Sequence, residues 1–228
     1  MRRARLVIAS VAALVAVGWI LPSLFVQHRL GAALRPRLQA SGGISVRALT
    51  SVFSLARGRV DRTEVLASGV HLGELTAQTL RMRVDGLRVR RAPDGSVVAI
   101  GARSGWAELR VGREELETFL RQRGVINPTV TIDPSGVAAS GGVRAGPISV
   151  QVRLRGQFYA ADRADLHFRV DALEAGALPV PGPLATTVLQ ATTGPLVSFR
   201  RLPIPVAIEQ VSSVQDRVVV TARIVGTP

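Results

Sequence analysis

Residues Ile148–Phe158 read ISVQVRLRGQF. Ile148, Val150, Val152, Leu154 and Phe158 alternate with Ser149, Gln151, Arg153, Arg155 and Gln157. Successive side chains of a strand point to opposite faces, so this two-residue period marks a strand with one buried and one solvated face. Leu166, Phe168 and Val170 repeat the pattern against His167, Arg169 and Asp171. Both strands belong to an antiparallel, half-solvated sheet rather than to a parallel one buried on both sides.

The same period extends in both directions. Leu80, Met82 and Val84 alternate with Arg81 and Arg83, and then the phase slips, so that Leu87 and Val89 continue against Arg88 and Arg90. One extra residue at Gly86 restores the alternation, which predicts a β-bulge there. Pro93-Asp94-Gly95 and Asp133-Pro134-Ser135-Gly136 are hairpin turns by composition, and Gly146-Pro147 opens a further strand. Val206–Val211 and Val218–Val225 flank Gln215-Asp216 as a last hairpin.

Helices are few. Gly112–Gly124 carries Glu114, Glu115 and Glu117 near its start and Arg121 and Arg123 near its end, the order a helix dipole favours. Leu116, Phe119 and Leu120 form its apolar stripe, and Gly124 is a natural stop. A second helix starts at Pro183 and places Leu184, Val188 and Leu189 on one face. It lies in a stretch from Glu174 to Arg200 with no ionisable side chain between those two residues. Prolines and glycines cut that stretch into pieces too short to span a bilayer. Either it packs on the sheet, or it forms a lid that touches lipid. A short helix over Gln27–Ala40, broken near Pro36, precedes the strands.

At the N-terminus, Leu6–Val26 reads LVIASVAALVAVGWILPSLFV without a charge, behind Arg2, Arg3 and Arg5. About twenty residues of helix cross the hydrocarbon core, and a basic cluster stays on the cytoplasmic side. The run is long for a signal peptide, and Trp19, Pro22 and Phe25 occupy the place of a small-residue cleavage site. An uncleaved anchor is therefore favoured over a cleaved leader, and both readings export the rest of the chain. The expected organisation is a cytoplasmic stub and transmembrane helix over residues 1–26, then one extracytoplasmic domain over 27–228. That domain is expected to be mainly β (α+β): an elongated antiparallel β-barrel-like unit with two or three packed helices.

The 228 residues include no cysteine, which excludes a lipobox anchor, a disulfide framework and thiolate metal sites. The net charge is +13, and every basic residue is arginine; leaving out Arg2, Arg3 and Arg5 the chain still carries +10. Such a surface attracts anionic partners, either lipid headgroups or nucleic acid. Export argues against nucleic acid, as does an aromatic content of 4%, because single-strand binders interleave aromatics with their basic residues. Arg81, Arg83, Arg88 and Arg90 are candidates for headgroup contact at a membrane surface; the plainer alternative is a solvated outer face that discourages edge pairing. His28, His71 and His167 have no metal-ligand spacing, no GxSxG elbow exists, and a Walker loop is impossible without lysine. Asp61, Glu64, Asp85, Asp94 and Asp133 read as partners in surface ion pairs. No catalytic residue, metal or cofactor is expected.

The order of these features resembles a known family. ALTSVFSLARGRVDRTEV (Ala48–Val65) is followed by HLGELTAQTLRMRVDGLRV (His71–Val89), VGREELETFL (Val111–Leu120), LPVPGP (Leu178–Pro183) and RLPIPVAIEQV (Arg201–Val211). This pattern resembles the LmeA family of bacterial envelope proteins, over essentially all of Gln27–Val225. The resemblance implies a fold similar to the tubular lipid-binding (TULIP) domains, phospholipid held by its acyl chains, and a role in envelope lipid or glycolipid metabolism. It carries over no individual residue. Candidate lipid-lining positions are the inward strand residues Val150, Val152, Leu154, Phe158 and Phe168. The helix residues Leu116, Phe119 and Leu120, then Leu184, Val188 and Leu189, complete that set. A rival class is a scaffold with a filled core, recruiting a membrane enzyme or wall polymer.

Overall fold

The computed structural model describes residues 23–24, 26–32, 34–35, 38–91, 97–145, 148–175, 194–202 and 204–226. Among the described residues, twelve strands form two antiparallel sheets. The first runs in the order β1 (Ile44–Leu49), β2 (Arg59–His71), β3 (Thr76–Arg91), β5 (Ser104–Gly112), β12 (Arg217–Ile224), β11 (Val206–Val214), with β4 (Val97–Gly101) beside the far part of β3. The second is a meander of β6 (Ile126–Asp133), β7 (Gly136–Ala145), β8 (Ile148–Ala160) and β9 (Asp165–Glu174), closed at its edge by the short β10 (Val197–Ser198). The mainly-β expectation holds, with a correction: β1 and β11 do not pair, so the first sheet is an open half-barrel and not a closed barrel.

The sheet bends at two creases, and these correct the bulge expected at Gly86. Arg62 pairs with Asp85 and Val60 with Leu87 in one unbroken register, so β3 carries no extra residue against β2. Instead both strands change face together. Thr63 and Val60 are buried three residues apart, and opposite them so are Val84 and Leu87. Gly86, at φ +63°, sits opposite Asp61 at the change. A left-handed residue without a Cβ lets the strand turn over without strain. The arrangement recurs with the strands exchanged: Gly69, at φ +62°, lies opposite Gln78, between the buried pairs Ala67–Leu80 and Val70–Ala77. A register shift does occur nearby, between Arg88 and Val89, against β4.

Two short helices join strands. α1 (Val52–Ala56) lies within the Ala48–Val65 stretch, where the sequence reading places no helix; Ser51 caps it, its hydroxyl accepting from the Ser54 N–H at 3.1 Å. α2 (Arg113–Gln122) falls where the sequence places it and leads from β5 into β6. Glu115 accepts from the Gly112 N–H at 3.0 Å at its start, and Gly124, at φ +85°, follows its end. The β6–β7 turn at Pro134-Ser135 and the last turn at Gln215-Asp216 also stand as read. Gln215 and Asp216 both have positive φ, the conformation of a tight hairpin.

The inner faces of both sheets, α2 and the helical residues 26–32 meet in one apolar core. Leu80, Leu109, Val111, Val218 and Val220 of the first sheet are wholly buried, and Val130, Ile132, Val137 and Leu166 face them from the second. No helix among the described residues is long and apolar enough to cross a membrane. Nearly all of Leu6–Val26 lies outside them, as do the turn at Pro93–Gly95 and the helix expected from Pro183.

Candidate lipid-binding face

The two sheets differ in how well they are covered. Along β8, and along β9 as far as Val170, the inward side chains alternate as the sequence requires, and Leu173 rejoins them past a register shift. Most are only half-buried: Val150, Leu154 and Phe158 on β8, and Phe168, Val170 and Leu173 on β9. Val143 of β7 pairs with Val150, Leu154 with Leu173, and Phe158 with Phe168, so these side chains form one continuous apolar strip. Phe158 and Phe168 lean on the edge of the core, ring centroids 5.0 Å apart and edge to face. Val150 and Leu154 lie beyond that core.

A glycine shapes the strip. Gly156 is buried opposite Val170, where the β8–β9 register shifts. A Cβ there would stand 2.1 Å from the Arg169 carbonyl oxygen and 2.6 Å from the Phe168 ring. The missing side chain is the space that Phe168 fills.

Of the lipid-lining candidates, the structure brings together Val150, Val152, Leu154, Phe158 and Phe168, with Val152 the most deeply buried of the five at 7% exposure. Leu116, Phe119 and Leu120 are elsewhere. α2 packs on β6, at the opposite edge of the sheet from β9, and Leu116 and Phe119 are part of the core. Leu184, Val188 and Leu189 lie outside the described residues.

The arginine candidates occupy the other side of the first sheet. Arg81 and Arg83 alternate with the buried Leu80, Met82 and Val84, so they face away from the core and from the strip on β8 and β9. They line an outer groove of about 500 Å3 together with Arg47, Arg110, Glu64 and Glu108. On its floor Trp106 is 40% exposed, with the Arg81 guanidinium 5.9 Å from its ring centre. Arg83 also reaches Asp85 at 3.6 Å. Arg88 and Arg90 lie past the Gly86 crease and do not line this groove. Trp106 was legible in principle, because the inward phase of Ala107, Leu109 and Val111 forces it outward.

Among the described residues no group of three His, Cys, Asp or Glu could hold a metal. His167 is half-buried beside Tyr159, ring centres 5.9 Å apart, and His71 Nδ1 lies 3.1 Å from the Gln39 carbonyl oxygen.

Residues 21–223 match the LmeA-like phospholipid-binding family. The chain belongs to that family. No curated protein and no solved structure matches it. The half-covered strip on β8 and β9 is a partly exposed apolar face, and the outer arginine groove is a separate feature of the same molecule.

Proposed function

We propose that this LmeA-like protein holds phospholipid by laying acyl chain along the β8–β9 strip, on the extracytoplasmic side of the membrane that carries its leader. The observation that supports this is the apolar face running past the packed core at Val150 and Leu154. Acyl chain on that face removes apolar area from water on both partners, at about 25 cal/mol per Å². No bond is made or broken and no cofactor takes part. The function is physical: to keep lipid in a protein environment, much as tubular lipid-binding domains do, during envelope lipid or glycolipid metabolism. Arg81 and Arg83 face away from the strip, so their contribution is to attract anionic headgroups of a membrane surface rather than to hold the headgroup of the bound lipid.

The test is photo-crosslinking. The full chain in detergent micelles is incubated with a phospholipid carrying a photoactivatable acyl chain, irradiated and digested, and the labelled peptides are sequenced. Label on β8 and β9 peptides supports the reading. Label confined to the leader would overturn it and favour a scaffold with a filled core.

A further inference from the structure

An ordered apolar tip stands where the leader meets the domain. Phe53 is 79% exposed, and Leu49 and Val52 beside it are about half exposed or more. Leu24, at the end of the leader, is exposed as well. Ser23 ties the two segments: its hydroxyl donates to the Thr50 carbonyl oxygen, and the Thr50 N–H donates back to it, both at 3.4 Å. Gln27 adds a bond from its amide to the Ala48 carbonyl oxygen at 3.3 Å.

Polar contacts hold this loop rigidly in its exposed form. Thr50 is fully buried, and its hydroxyl donates to the Arg59 carbonyl oxygen at 3.3 Å. Asp61 accepts from the Ser54 hydroxyl at 2.8 Å and from the Ser51 N–H at 3.3 Å. With α1 capped in this way Leu55 packs against the core, while Leu49, Val52 and Phe53 stay exposed. Directly behind the tip, a second groove of about 440 Å3 is lined by Arg57, Arg59, Arg62 and Arg103 against Asp61 and Asp85. Arg62 pairs with Asp85 at 3.0 Å, while Arg57, Arg59 and Arg103 have no carboxylate partner among the described residues.

We infer that the Leu49–Phe53 tip is a membrane wedge. Its apolar side chains enter the acyl boundary of the bilayer that holds the leader, and the arginines behind it meet the lipid phosphates. The occupant is a lipid surface for two reasons. The tip is bonded to Ser23, near the end of the charge-free segment Leu6–Val26, which is of membrane-spanning length. Its surroundings also change from apolar to basic over the short distance that separates acyl chains from headgroups. The inference rests on the leader lying in the membrane, and it goes beyond lipid binding on β8 and β9: it sets the domain's orientation against the surface.

The absence of cysteine makes the test direct, because one introduced thiol takes one spin label. Full-length Phe53→Cys, Ala13→Cys and Ser135→Cys are labelled and reconstituted in vesicles of phosphatidylethanolamine and phosphatidylglycerol. Collision rates with oxygen, which partitions into lipid, and with a water-soluble nickel chelate are then compared. The wedge predicts that the label at position 53 meets the nickel chelate several-fold less often than the label at Ser135, and oxygen more often. Water-like collisions at 53 with lipid-like collisions at 13 would overturn the wedge and leave the anchor standing. Water-like collisions at both would overturn the anchor with it. Phe53 makes no core contact that its replacement would remove.

Discussion

Gly156 and the two phenylalanines beside it carry the local logic of the candidate site. Replacing Gly156 with alanine would force a carbon into the space held by the Arg169 carbonyl oxygen and the Phe168 ring. The expected cost is about 1–3 kcal/mol, as for other overpacked positions, read as a lower urea midpoint with unchanged slope. An unchanged midpoint would show that β8 and β9 can separate freely there. Phe158→Ser acts differently. The ring is only half-buried, so the fold should survive, but the strip loses its largest face and crosslinked phospholipid on β8 should fall several-fold. Undiminished crosslinking would remove Phe158 from the site. Both phenylalanines were legible in the sequence because alternation alone puts them inward. Their exposure was not, because a packed core and an open apolar face share one period.

Among elements, the corner between β8 and β9 shows how charge holds a turn. The Asp162 carboxylate accepts from the Ala164 N–H at 2.8 Å and from the Asp165 N–H at 2.8 Å, and it pairs with Arg200 of the 3₁₀ turn Phe199–Arg201. The Ala164 N–H first, then that of Asp165 and Arg200, hold its carboxyl below the ordinary carboxylate value. A group with a depressed folded pKa stabilises above its unfolded pKa, and the contribution is lost as pH falls through the lower folded value. Carbon-detected NMR titration should therefore give Asp162 a midpoint below about 3.9; a midpoint at or above it would mean the turn is not held this way. On the outer groove, Arg81→Glu with Arg83→Glu should weaken sedimentation of the protein with added anionic vesicles, more at low salt than at high. Equal binding would leave these arginines as a solvated face. The creases account for the misjudged bulge. A slip of phase in one strand is visible in sequence, but whether its partner slips too depends on pairing, and Asp61 gives no local sign of standing opposite Gly86.

For the whole molecule, the alternation of apolar and arginine residues predicted a mainly-β chain with antiparallel sheets, and the structure has them. What the pattern could not contain was closure, since edges and barrels differ only in whether the first and last strands meet. The side of the membrane on which this half-barrel stands is a separate expectation with its own check. Ser135→Cys, in the exposed β6–β7 turn, should react with a membrane-impermeant maleimide on intact cells; labelling only after lysis would place the domain inside. The paired creases also bear on how such a chain can change length. Removing Gly86 alone would leave Asp61 without a counterpart on β3, one extra residue that β2 must bulge out or absorb by a register shift. Removing Asp61 with it would flatten the crease and leave every remaining β2–β3 partner opposite the residue it has now. Gaps among relatives should accordingly come in twos, one in each strand, at positions far apart along the chain and adjacent in the sheet.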